Sequence, residues 1–258
     1  MKSIYKKIRI SPFLIFIIFI SFISGLFREV LSFLTVILIH EFGHVLSSLL
    51  FKWKIEKIDI TLCGGFITYN DVIDKPYKEE VIVALAGFLF QLLLFAVTYI
   101  FGLINIIDPD TMFLINKYNI SIFLFNMIPI YPLDISKIIS VIFNMMYSYK
   151  KALWLINLLS IISIILIMIL VFYLNIKIEI SYILILVFIL KKIFIHIKDI
   201  PYLFNRLLFE RYIYPINTNK YNYIIGKRIN LFKRRCKNYF YINNHYICER
   251  KILSKMFD

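Results

Sequence analysis

Two histidines and a glutamate stand inside a stretch that is otherwise apolar for about the thickness of a bilayer. That combination restricts the fold of this 258-residue chain more than any other feature. The apolar run covers residues 30–51 and contains His40-Glu41-Phe42-Gly43-His44. A membrane-crossing helix takes roughly 20 such residues. On a helix, positions four apart share a face, so His40 and His44 can hold one metal ion between them, with Glu41 to the side and placed to take a proton from water. Ionisable side chains in hydrocarbon are costly and call first for a functional explanation. Only four histidines occur in the chain, at 40, 44, 196 and 245, so the spacing of the first two is not a by-product of composition.

Comparable apolar runs recur at 12–27, 81–103, 112–149, 152–174 and 180–194. Hydrophobic residues make up 60% of the chain and charged ones 18%, which excludes an ordinary soluble domain. The expected fold is an all-α polytopic membrane protein of six transmembrane helices. To these the pattern adds a small membrane-associated β-hairpin and a small α+β C-terminal domain. The expected division is 1–197 for the six-span core and 198–258 for a basic cytoplasmic tail. The net charge of +14 does not imply nucleic acid, because the basic residues gather between and after the spans. Arg28 and Lys177 are the only basic residues of the outer connections, so both termini are expected in the cytoplasm. The first two spans should be joined by a tight turn at Arg28-Glu29. His44 then lies roughly 10 Å from the cytoplasmic end of its span at 1.5 Å per residue. The first run, retained after Lys2, Lys6, Lys7 and Arg9, reads as an anchor, and the three cysteines form no disulfide framework.

Between the second and third spans, Ile58, Ile60 and Leu62 alternate with Asp59 and Thr61, followed by Gly64-Gly65 and Phe66-Ile67-Thr68-Tyr69. This is a hairpin pattern with a Gly-Gly turn. It serves either as a small structural hairpin or as an edge strand that holds an extended substrate. The run 112–149 is too long for one helix, and Pro129 and Pro132 break it. Broken helices at membrane depth are tolerated only against protein or water. Asp134, at this break, is the only carboxylate between Asp110 and Glu179. It is the candidate third metal ligand; the alternatives are a helix cap and a pair with Lys137. The tail suggests a strand at 221–225, a helix at 230–237, strands at 239–242 and 245–248 about an Asn243-Asn244 turn, and a helix at 250–256. Its basic face suits anionic lipid. Cys236, His245 and Cys248 are a rival zinc set, at irregular spacing.

HEFGH in one membrane helix, followed by Asn126-x-x-Pro129-x-x-Pro132-Leu133-Asp134 in a later one, resembles the site-2 protease family of intramembrane zinc metalloproteases. The resemblance implies zinc held by His40, His44 and Asp134, Glu41 as catalytic base, and Asn126 with the Gly64-Gly65 hairpin near the substrate. It implies a membrane-associated pro-sigma factor as substrate during sporulation, and inhibitory membrane partners. It also implies a shortened CBS-like tail with ATP as its ligand, and a homo-oligomer. Two departures stand out. Ile135 follows the motif aspartate where the family has glycine, so strain is expected there. Ala86-Gly87-Phe88 lacks the proline many relatives carry, so a packing change is expected. No loop between spans has room for a PDZ domain. A non-catalytic adaptor, favoured by Ile135, and a metal transporter are the other classes; the scarcity of polar residues in the spans after Lys151 speaks against the transporter.

Overall fold

The computed structural model describes residues 8–61, 64–69, 73–175, 177 and 179–257. The chain forms two compact units, 1–71 with 82–127, and 72–81 with 128–258.

The first unit opens with strand β1 (Ile8–Ile10) and helix α1 (Pro12–Ile23), whose first turn carries a proline, where its missing N–H costs nothing. The turn to helix α2 (Phe27–Leu50) falls on Ser24 to Leu26 rather than on the expected Arg28-Glu29. Gly25 supplies the left-handed backbone there, at φ 75°. Arg28 is instead inside α2, paired with Asp108 and bonded through Nε to Thr111 Oγ1 at 2.8 Å. Strands β2 (Ile55–Thr61) and β3 (Gly64–Tyr69) form the expected hairpin. The glycine pair is not its turn. Thr61 faces Gly64 across the ladder and Gly64-Gly65 opens β3, while residues 62–63 lie outside the described residues. β1, which the sequence pattern did not reveal, pairs parallel with β2, giving the order β1-β2-β3.

Helix α3 (Tyr77–Leu103) and helix α4 (Pro109–Asn126) follow. Within this unit they are fastened by amide side chains, which find few partners in lipid except each other and backbone. Asn119 Nδ2 donates to the Gln91 carbonyl at 2.9 Å, and Thr98 Oγ1 to Asn116 Oδ1 at 2.9 Å. Val36 of α2 is fully buried against Leu94 of α3 and Ile115 of α4.

The second unit contains helices α5 (Asp134–Met146), α6 (Tyr149–Tyr173) and α7 (Ile180–Ile213). The expected break of the fourth apolar run is present as the segment between α4 and α5, with a cis Tyr131-Pro132 bond. α7 has 34 residues. At 1.5 Å per residue that is about 51 Å, more than a bilayer needs, so it continues past position 198 into the tail. A sheet of β4 (Tyr221–Ile225), β5 (Lys237–Ile242) and β6 (His245–Cys248) and the closing helix α8 (Glu249–Phe257) complete the unit. β4 and β5 are parallel, β5 and β6 antiparallel. One face of the sheet presents Ile224 and Phe240 to a core with Phe232, Leu253, Leu207 and Leu208.

The helix expected at 230–237 is a single 3-10 turn, Ile229–Leu231. The buried Asn238 side chain takes over the bonds a helix would have made. Its Nδ2 donates to the carbonyls of Lys233 and Cys236, each at 3.1 Å, and its Oδ1 accepts from Lys233 N at 3.0 Å. Arg235 adopts φ 54°, outside any right-handed helix.

Among the described residues four helices, α2, α3, α6 and α7, are long and apolar enough to cross a membrane, and α1 is a shorter apolar helix.

Candidate metal centre

His40 and His44 lie on one face of α2, both nearly sealed from solvent. Their Nε2 atoms are 3.2 Å apart. Two nitrogen ligands of a tetrahedral zinc, each about 2.0–2.1 Å from the ion, stand roughly 3.3 Å apart. The separation therefore fits a shared ion. His44 Nδ1 lies 2.7 Å from the Val83 carbonyl, to which it can only donate. That leaves a lone pair on Nε2 of the neutral ring, turned toward His40. An imidazole fixed through its second nitrogen in this way is the usual support of a metal ligand.

Space for the pair is made by Gly87 of α3. A β-carbon there would come within 2.5 Å of His40 Cε1 and 2.6 Å of His44 Nε2. Gly43 does the same on α2, where a β-carbon would stand 2.6 Å from the Ala86 carbonyl oxygen. The sequence marked Ala86-Gly87-Phe88 only as lacking a proline, with a packing change expected. Its requirement at Gly87 is set by the crossing of α3 over α2, which spacing along the chain does not reveal.

Glu41 turns toward the hairpin. Its Oε1 accepts from Gly65 N at 3.0 Å, and a β-carbon on residue 65 would meet its Cγ and Cδ at 2.5 Å. Gly65 is thus a contact of the expected base, placed there by β3. Ser48 Oγ, 2.8 Å from Tyr69 Oη, fixes the other end of β3 to α2. Gly64 is at φ 121°, a conformation that suits glycine. Asn126 is the last residue of α4, and its Nδ2 donates back to the Ile122 carbonyl at 3.1 Å.

In the second unit, Asp134 is the first residue of α5 and is 3% exposed. Lys137 Nζ lies 2.7 Å from its Oδ1. Ile135 sits in the first turn of α5 and is not among the residues with positive φ, so the strain expected from its departure from glycine is absent. The later spans carry more buried polar groups than expected: Asn157, Ser160, Ser163 and His196 are all buried. Among the described residues, Cys236, His245 and Cys248 do not come together as a metal set. Within the tail, burial pushes the Arg234 guanidinium down, but Glu80, Tyr149 and Asp74 together outweigh this and hold it above its ordinary value.

Residues 29–109 match Peptidase family M50. Stage IV sporulation protein FB of Bacillus subtilis (strain 168) is 32% identical over 146 residues, 57% of this chain and 51% of that protein. Zinc metalloprotease MJ0392 of Methanocaldococcus jannaschii is 30% identical over 127 residues, 48% of this chain and 36% of that protein. Among solved structures, the Site-2 Protease from Methanocaldococcus jannaschii aligns with a TM-score of 0.55 at 23% identity, covering 75% of this chain and 91% of the other. This last likeness carries the fold alone. The alignments span about half of the bacillar relative and about a third of the archaeal one. The family resemblance drawn from HEFGH and the proline-broken run is borne out by these matches.

Proposed function

We propose that this chain is an intramembrane zinc metalloprotease of the site-2 type, hydrolysing a peptide bond of a membrane-associated protein near the cytoplasmic side. One observation carries the proposal: His40 and His44 are buried on a span-length helix at ligand separation, with Glu41 beside them. Asp134 is the proposed third ligand. Supporting this are its burial, its position at the start of α5 after the proline break, and the absence of any other carboxylate nearby in sequence.

Bound zinc supplies Lewis acidity to the scissile carbonyl and brings the pKa of water toward neutrality. Glu41 accepts the proton of the attacking water and returns it to the leaving amine. The Gly65 N–H holds one Glu41 oxygen, fixing the carboxylate while the other oxygen handles the proton. Among the described residues β3 pairs in the sheet only with β2, and strand addition beside it is the proposed way an extended substrate is held. Gly64, Gly65 and Asn126 are the proposed substrate contacts.

The name of the bacillar relative points to sporulation, and a pro-sigma factor is the proposed substrate class. Inhibitory membrane partners, ATP at a CBS-like tail and a homo-oligomer belong to the same reading. For the tail, the support is its order of strand, 3-10 turn, two strands and helix. Both termini are proposed to be cytoplasmic, with six spans in all, α1 and the broken pair α4 and α5 completing the set. The adaptor reading loses its one support, because Ile135 fits its helix without strain.

The deciding experiment is Glu41→Gln in reconstituted membranes with a co-expressed pro-sigma factor. Zinc content should stay at the wild-type level while cleavage falls by at least about 100-fold, the usual worth of general acid–base catalysis. Undiminished cleavage would sink the assignment.

A further inference from the structure

The segment between α4 and α5 lacks helical bonding at a depth where lipid offers no partner for backbone groups. Pro129 and Pro132 have no N–H, and Tyr131, between them, needs an acceptor. α6 supplies it: Tyr131 N donates to Ser160 Oγ at 2.8 Å, and Ser160 in turn donates to the Ile156 carbonyl at 2.7 Å. Ser160 is fully buried.

The Tyr131 side chain is held as well. Its ring stacks on His196 of α7 with centroids 4.0 Å apart and planes 16° from parallel. The His196 ring is itself fixed by Asn157 of α6, whose Oδ1 lies 3.0 Å from His196 Nδ1. Asn157 Nδ2 is committed to the Leu153 carbonyl at 2.8 Å. Oδ1 is therefore an acceptor, and His196 Nδ1 must carry the proton. Each member is oriented by a bond that leaves it one way to face. Three residues after Tyr131, the chain enters α5 at Asp134.

We infer that Asn157, Ser160 and His196 are positioning residues that set where the Asp134 carboxylate stands, by clamping Tyr131 from its backbone and its ring. The inference rests on the reading of Asp134 as a zinc ligand. No member of the clamp is a proposed ligand; each acts through Tyr131 and the break it stands in. A histidine and an asparagine in membrane spans, which the metal chemistry does not use, thereby acquire a function.

The test is a double-mutant cycle on the full chain in lipid nanodiscs, reading zinc affinity by competition with a chelator. His196→Ala should weaken zinc by roughly 10- to 100-fold, as loss of an outer support of a metal site does. In an Asp134→Asn background the same change should cost less than about twofold, because the residue it acts through is already disabled. Ser160→Ala should behave like His196→Ala, and Ser160→Thr, which keeps the hydroxyl, should restore affinity. Wild-type affinity in His196→Ala, or equal losses in both backgrounds, overturns the inference. If His196→Ala does not accumulate, the Ser160→Ala and Ser160→Thr pair decides, and Ser160→Ala at wild-type affinity or Thr without rescue overturns it. The two levels separate cleanly. Asp134→Asn with undiminished zinc binding defeats the ligand reading, whereas a weakened Asp134→Asn beside an unaffected His196→Ala defeats the clamp alone.

Discussion

At the scale of single residues, the chemistry of the centre depends on two glycines as much as on the charged groups. Gly87 and Gly65 crowd different members of the site, so their alanine variants should fail differently. Gly87→Ala drives a methyl group into both imidazoles. Overpacking of this kind costs about 1–3 kcal/mol, so zinc affinity should drop by roughly 10-fold or more. Gly65→Ala meets only the Glu41 side chain, at 2.5 Å from Cγ and Cδ. It should leave zinc affinity near wild type and reduce cleavage. Chelator competition and a cleavage assay on both variants check this; a Gly65→Ala protein that cleaves normally but loses zinc would reverse the assignment. The placement of His40 and His44 side by side on α2 was legible in the sequence because a helix sets residues four apart on one face whatever surrounds it. The need for glycine at 87 and 65 was not, because it arises where a second element crosses the first.

At the scale of elements, two kinds of charge pair carry different loads. Arg234 is buried between Glu80, with which it is paired, and Asp74, whose Oδ1 is 3.7 Å from its Nε. Arg211 reaches Asp74 Oδ2 at 3.2 Å and Glu249 Oε1 at 3.7 Å. These join the segment before α3, the end of α7 and the tail within one unit. Removing one partner of a buried pair strands the other, so Arg234→Ala should cost on the order of 3–5 kcal/mol. Arg28 and Asp108 are about half exposed, and Arg28→Ala should cost less than about 1 kcal/mol. Thermal unfolding in detergent compares them, and equal shifts in Tm would contradict the contrast. Sequence periodicity found β2, β3, β4, β6 and α8 because each alternates or repeats over its own length. It missed β1, whose three residues gain their identity by pairing with β2. It turned 230–237 into a helix because local propensity ignores Asn238, which satisfies that backbone from outside. The proline break announced itself through Pro129 and Pro132, but the Ser160 and His196 that hold it lie on later helices, beyond the reach of any local pattern.

At the scale of the whole molecule, apolar surface and charge together argue for one orientation in the bilayer. In the apolar windows of α6 and α7 only 28% and 17% of residues are buried by protein, so lipid must cover the rest. Basic residues are confined almost wholly to one set of ends: residues 198–258 hold thirteen Lys or Arg against four Asp or Glu, while the connections at 104–108 and 175–179 hold one Lys, Lys177. Such a bias retains the basic side in the cytoplasm. Cysteine labelling in intact cells tests it. In a Cys63→Ser background, the exposed Cys248 should react with a membrane-impermeant maleimide only after permeabilisation. An Asn105→Cys or Asn175→Cys variant should react without it. The second native thiol provides an internal check on the tail's fold. Cys236 is partly buried, and that burial pushes its pKa up, so less of it is thiolate at neutral pH. It should label more slowly than Cys248 once reagent has access, and equal rates would mean that the tail is unfolded under the labelling conditions. Labelling of Cys248 in sealed cells would invert the orientation and put the centre out of reach of the cytoplasmic substrate proposed above.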